Sequence, residues 1–187
     1  MDYKNKIKSY SLFILFILIS SCGKNDDTRN TDCDPIAEGN KKDLIIISPL
    51  QTIYNQGDVI NVKVTIPVQN DYFGTTPINI YTLSGASFGS LIITMYPTND
   101  IFLGNTVTLI SGTLTDVQGK FNFPLNLNTG NYEFEANIKL NRLGNYKFPS
   151  NGPDFIAFVG NNFCKRLVLD TSKAGGNVDG NIEFVVQ

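Results

Sequence analysis

Apolar and polar residues alternate along most of this chain. Ile60-Asn61-Val62-Lys63-Val64-Thr65-Ile66 puts an apolar side chain at every second position, the period of a strand with one buried face. Tyr132-Glu133-Phe134-Glu135-Ala136-Asn137-Ile138-Lys139-Leu140 repeats the pattern, as do Phe121, Phe123, Leu125 and Leu127, and Ile182, Phe184 and Val186 near the C-terminus. Shorter strands are predicted at residues 79–83, 91–95, 106–110, 146–148, 155–159 and 163–169. Between them lie Asn55-Gln56-Gly57-Asp58, Gly74-Thr75-Thr76-Pro77, Asn128-Thr129-Gly130-Asn131, Leu143-Gly144-Asn145 and Asn151-Gly152-Pro153, all with turn chemistry: Gly supplies positive φ, Asn and Asp tolerate it, and Pro denies a ladder its donor. No helical apolar stripe free of Gly and Pro follows residue 42. The expected fold is therefore all-β. Many short strands at roughly ten-residue spacing predict an antiparallel two-sheet sandwich, because each sheet must bury its apolar face.

The first residues break this pattern. Lys4, Lys6 and Lys8 precede an unbroken apolar run at residues 12–19, Leu-Phe-Ile-Leu-Phe-Ile-Leu-Ile, and then Ser20 and Ser21. A basic start, a short apolar stretch and small residues make a secretory signal. Eight helical residues span roughly 12 Å against a hydrocarbon core of about 30 Å, too little for a permanent membrane crossing.

Cys22 follows the small pair, with an aliphatic residue three positions before it. In Ile19-Ser20-Ser21-Cys22 the chain resembles the bacterial lipoproteins, whose lipobox is an aliphatic residue, two small residues and a cysteine. The resemblance covers only the leader. It implies that residues 1–21 are removed, that Cys22 is lipidated, and that the acyl chains hold the protein in the outer membrane. One acyl chain binds a bilayer marginally at about 0.8 kcal/mol per buried methylene, whereas two or three anchor stably. Gly23, where an aspartate would argue for inner-membrane retention, favours the outer membrane by the same resemblance. Lys24-Asn25-Asp26-Asp27 looks like the Lys-plus-acidic-pair export signal of some Bacteroidota surface lipoproteins, interrupted by Asn25. The same residues also read as a solvated polar tether, so the cell surface and the periplasmic face both stay open.

Residues 22–42 carry almost no apolar periodicity and are expected to be the lipidated cysteine and its tether, with the β-sandwich occupying 43–187. Ile47-Ser48-Pro49, then Tyr54-Asn55-Gln56-Gly57-Asp58 and an alternating strand, looks like the first two strands of bacterial immunoglobulin-like and fibronectin type III-like modules. At about 145 residues the domain exceeds the roughly 100 of an immunoglobulin domain, which leaves room for added strands or a jelly roll. The chain has no Trp and so lacks the ring that marks true immunoglobulin cores.

The sequence holds three cysteines. With Cys22 acylated, Cys33 and Cys164 form an even pair outside the reducing cytoplasm and are expected to make a disulfide; the alternative is a free thiol on the tether and a lone strand cysteine. Loss of the leader would make the chain more acidic than its formal −2. With no basic run, it offers nothing for phosphate neutralisation, and nucleic acid is not an expected partner.

The chain has no histidine. Ser-His-Asp triads, Cys-His pairs and His-ligated zinc or iron sites are therefore excluded. Ser84-Gly85-Ala86-Ser87-Phe88-Gly89-Ser90 lacks the Gly-Lys-Ser/Thr ending of a phosphate loop and reads as a loop or bulge. Glu133 and Glu135 project from one strand face, where a paired-carboxylate glycosidase would need them, although solvent-facing strand positions are ordinarily charged. Asp170, Asn177, Asp179 and Asn181 sit in a Gly-rich segment without the spacing of an EF-hand, which reads as a hairpin loop. No metal, cofactor or enzymatic activity is expected.

What remains is a membrane-anchored lipoprotein with a non-catalytic β-sandwich for binding or adhesion. Its expected partners are the membrane through Cys22, the lipoprotein processing and export machinery, and an extracellular protein or glycan. In a carbohydrate-binding alternative, Asp71, Tyr72 and Phe73 would form the ligand loop, since aromatic faces stack on sugar rings. A carboxylate-based glycoside hydrolase is the third reading.

Overall fold

The two longest alternating segments pair with each other. β4 (Val59–Pro67) and β11 (Asn131–Lys139) run antiparallel over their full length, from Val59 beside Lys139 to Pro67 beside Asn131. Their inward residues, Ile60, Val62, Val64, Ile66, Tyr132, Phe134, Ala136 and Ile138, are all buried. The computed structural model describes residues 33–96, 104–115, 119–150 and 154–187, all within the unit Cys33–Gln187. The leader and Cys22 lie outside the described residues.

On one side of β4 lies β2 (Ile45–Ser48). On the far side of β11 the sheet turns a corner. β10 (Lys120–Asn126) meets β11 only at Leu125–Tyr132 and Asn126–Asn131, then diverges to pair with β7 (Phe88–Ile92). β8 (Thr106–Ser111) lines β11, whereas β9 (Thr113–Leu114) lines β10. Gly112, between them, has φ +95°, and a Cβ there would come within 2.8 Å of the Asn122 carbonyl; only glycine passes this corner without strain. Beyond β7 follow β13 (Asp154–Phe158), β14 (Leu167–Thr171) and β1 (Ala37–Asn40).

The fold is all-β, and its main element is one curled ten-stranded sheet in place of two separate antiparallel ones. The curl closes on itself just after β14. Ile45 N–H donates to the Ser172 carbonyl at 3.3 Å and Ala174 N–H to the Ile45 carbonyl at 2.9 Å, which covers the edge of β2. The sheet is also mixed, because β1 runs parallel to β14. Aromatic rings fill the curl: Tyr132 lies 4.9 Å from Phe158, Phe121 lies 4.7 Å from Phe134, and Phe123 meets Phe158 edge-on at 6.3 Å. Fully burying such a ring is worth about 1.5–3 kcal/mol. A smaller sheet consists of β12 (Gly144–Phe148), β15 (Ile182–Val186) and β3 (Ile53–Tyr54), the last again parallel to its neighbour. β5 (Gln69–Asn70) and β6 (Ile78–Asn79) make a two-stranded hairpin.

Three expectations need correction. The strand expected at 163–169 begins only at Leu167, because Phe163–Lys165 is a 3-10 turn capped by Asn162. A strand is expected at residues 79–83, but Ile80–Ser84 is a short helix, α1. The Asn79 side chain accepts from Thr82 N–H, and Gly85 closes the other end at φ +72°, so a capping asparagine and a left-handed glycine outweigh a weak strand pattern. The folded body also starts before residue 43. Although Ala37–Asn40 lies in the stretch expected as tether, its backbone adds an edge strand to β14, and Ile36, Asn40 and Lys41 N–H groups donate to the carbonyls of Arg166, Tyr72 and Asp170. Edge pairing of this kind is made by the main chain and needs no apolar side-chain pattern.

Candidate functional site

Cys33 and Cys164 are bonded, with Cα atoms 5.1 Å apart across 131 residues of sequence. The bridge fixes the residues just before β1 to the 3-10 turn Phe163–Lys165. That turn is shaped by Asn162, whose side chain accepts from Cys164 N–H at 2.9 Å. Arg166 stacks over the Phe163 ring at 4.5 Å.

Asp71, Tyr72 and Phe73 lie in the loop between β5 and β6, which Asn70 organises. Its amide donates to the Pro67 carbonyl at 2.7 Å, and its oxygen accepts from Tyr72 N–H at 3.0 Å. Asp71 is exposed, whereas Tyr72 and Phe73 are half-buried against the core. Gly39 of β1 lets Phe73 approach: a Cβ at that position would stand 2.8 Å from Phe73 Cδ1 and 2.6 Å from the Tyr72 carbonyl. The Lys41 ammonium sits 5.3 Å from the centre of the Tyr72 ring, a cation–π distance. Burial, with a smaller contribution from the Asp71 charge, raises the Tyr72 pKa. The Phe73 ring thus packs on β1, and the Tyr72 ring lies beside Lys41 just after that strand.

Glu133 and Glu135 are likewise engaged. Glu133 accepts from the Thr129 hydroxyl at 2.7 Å and the Asn126 amide at 3.0 Å. These bonds, Thr129 first, hold its pKa below the ordinary carboxylate value, whereas a general acid needs a raised one. Glu135 accepts from Asn61 at 3.1 Å and pairs with Lys63 at 3.6 Å. In the Gly-rich segment the Asn177 side-chain oxygen accepts from the N–H groups of Asp179 and Asn181, each at 3.0 Å, and that of Asn181 accepts from Ser150 N–H at 2.8 Å. Two of the four candidate groups, Asn177 and Asn181, thus turn their side-chain oxygens onto the backbone. Among the described residues, no three His, Cys, Asp or Glu side chains converge as metal ligands would.

The small sheet carries a groove that the sequence did not single out. It encloses about 380 Å³ and is lined by Thr52, Asn145, Lys147, Glu183 and Val185 over Tyr146 and Phe184. Strand alternation makes it: Asn145 lies beside Val185 and Lys147 beside Glu183 on the outer face, with the Lys147–Glu183 pair at 3.4 Å. Beneath them Tyr146 and Phe184 stack nearly parallel, 5.4 Å apart at 6°, and Tyr54 closes on Phe184 edge-on at 5.0 Å. The Tyr146 hydroxyl donates to the Arg142 carbonyl at 2.9 Å, and that of Tyr54 to the Pro49 carbonyl. Burial raises both phenol pKa values. The volume suits a small ligand, and the rim offers an amide, a hydroxyl, an ammonium and a carboxylate. The ring faces below are spent on each other. The polar positions of the alternating segments around 145 and 183 were the available signal; their meeting depends on β12 and β15 pairing across more than thirty residues.

No known protein family, curated protein or solved structure matches this chain. The site is therefore read from its own chemistry. That chemistry is one of hydrogen-bonding and charged groups on strand faces, several of them partnered by a neighbour, with no histidine in the chain.

Proposed function

We propose that this chain is a lipid-anchored outer-membrane protein whose all-β head is a non-catalytic binding or adhesion module. The observation that carries this reading is Ile19-Ser20-Ser21-Cys22 directly after a basic start and an eight-residue apolar run. The Cys33–Cys164 bridge supports it, because such bonds persist in oxidising compartments. On this reading the partners are the membrane through acyl chains on Cys22, the processing and export machinery, and an extracellular protein or glycan. Loops and strand faces, rather than a catalytic constellation, would set specificity.

Metabolic labelling with a palmitate analogue tests the anchor. The chain is expected to take up label and partition into the detergent phase, and Cys22→Ala is expected to do neither. Label retained by Cys22→Ala, or an unlabelled wild-type chain, would refute it. Protease shaving of intact cells then separates surface display from a periplasmic orientation.

A further inference from the structure

The outward positions of the large sheet are of two kinds. On β4 and β11 they form a polar ladder, with Lys63 beside Glu135, Asn61 beside Asn137 and Thr65 beside Glu133. On β14, β13, β7 and β10 apolar side chains mix with polar ones, six apolar among ten. One row across these four strands reads Val168, Ala157, Ser90, Asn122. In the adjacent row Asp170 lies beside Phe155 and Ile92 beside Lys120; continuing the β13–β7 register by one residue brings Phe155 next to Ile92. On the other side Phe88 pairs with Pro124. Phe155 is 58%, Ile92 56% and Phe88 39% exposed, although each belongs to a strand whose inward residues already fill the core. An antiparallel sheet with one solvated face carries polar residues there, as β4 and β11 do. Exposed apolar side chains gathered on one sheet face mark a contact surface.

The row Asp170, Phe155, Ile92, Lys120 indicates what covers it. It has a negative charge at one end, a positive charge at the other and two apolar side chains between. We propose that two copies of this chain pair through this face, about a twofold axis that runs along the strands between β13 and β7. That operation reverses the row, so Lys120 of each copy lies over Asp170 of the other, and Phe155 lies over Ile92, twice per interface. A self-complementary pattern is what an isologous contact requires, and this row supplies both halves of the match. Ten outward positions, on strands about 4.8 Å apart with alternate residues about 7 Å apart, give a footprint of roughly 340 Å² per copy. That is below the range of stable specific interfaces, so the pair is a weak, transient one. No residue of the face precedes Phe88, and the proposal stands apart from lipidation at Cys22.

The test co-expresses two differently tagged copies of the full chain, crosslinks them in intact cells, and measures how much of one is recovered with the other. Wild-type copies are expected to co-purify. Lys120→Asp with itself sets acid against acid at both symmetry-related contacts, and Asp170→Lys with itself sets base against base; recovery is expected to fall roughly tenfold or more in each case. Mixing a Lys120→Asp copy with an Asp170→Lys copy restores opposite charges at both contacts, and recovery is expected to return. Phe155→Ser abolishes pairing in any combination. Thermal unfolding of each variant confirms that the head is folded. Wild-type copies that do not co-purify, including a case where the face captures a different protein, would overturn the proposal. So would a mixture of the two charge variants that pairs no better than each does alone.

Discussion

Replacing Asp154 by alanine would strand the ammonium of Lys173 inside the protein. Lys173 lies where the curled sheet closes: its backbone bridges to Ile45, while its Nζ donates to both Asp154 oxygens at 2.8 and 2.7 Å and to the Pro149 carbonyl at 2.9 Å. The lysine side chain is 3% exposed and the aspartate 16%, and this asymmetry sets the magnitudes. Asp154→Ala leaves a buried cation with one carbonyl partner, an arrangement that costs about 3–5 kcal/mol. Lys173→Met leaves a carboxylate with some access to water, at a cost of about 1–3 kcal/mol. The double variant Asp154→Ala/Lys173→Met removes both charges and is expected to lie closer to wild type than Asp154→Ala does, giving a coupling of about 2–3 kcal/mol. Against a typical domain stability of about 5–15 kcal/mol, the aspartate variant is partly unfolded at modest urea. Urea titration followed by tyrosine fluorescence reads this directly, since the chain has eight Tyr and no Trp. Additive single losses, or a lysine variant at least as damaging as the aspartate one, would refute the argument from burial.

Removing the bridge with Cys33→Ser/Cys164→Ser frees a loop spanning 131 residues and is expected to lower stability by about 5 kcal/mol on the chain-entropy account; a urea midpoint unchanged by the substitution would contradict it. Gly89→Ala would push a methyl to within 2.5 Å of Phe123 Cε2 and 2.9 Å of Phe158 Cε1, an overpacking cost of about 1–3 kcal/mol visible as a lower melting temperature. Glu133 has a folded pKa below its ordinary 4.5, so its stabilisation is complete above that value and is lost as pH falls through the depressed one. Glu133→Gln is accordingly expected to be less stable than wild type at pH 7 and to converge with it in acid; parallel stability curves would count against the Thr129 and Asn126 hydrogen bonds as the cause.

How far the sequence discloses this fold depends on which element is asked. The segments around 60 and 132 bury one face and solvate the other, so their period of two is visible and their strands lie where the alternation says. β1 is different: Ala-Glu-Gly-Asn has no apolar rhythm because main-chain bonds to β14 hold it, and the chain there reads as tether. α1 is hidden for a related reason. Its two caps, Asn79 and Gly85, lie only six residues apart, too short a span for a helical stripe to develop. Gly89 suggests a loop, yet it sits inside β7 because two phenylalanine rings need the space a side chain would take.

The surfaces were less legible than the core, and Phe155-Ile156-Ala157-Phe158-Val159 shows why. A continuous apolar run is the signature of a strand with both faces covered. Ile156 and Phe158 account for one face, since both are fully buried. The outward side, at Phe155 and Ala157, acquires meaning only when β7 supplies Ile92 and Ser90 beside it, from more than sixty residues earlier. Local pattern therefore reports that a second apolar face exists, and topology reports which residues share it. The same limit applies to Tyr72 and Phe73. As a pair of exposed aromatics in a turn they invite a stacking platform, but the segment that packs against them is a β-strand whose own sequence gives no sign of being one. In each case the missing information is the pairing of distant segments. The charge-swap pairing test probes that information for the outer face, because its outcome depends on Asp170 and Lys120 lying in one row.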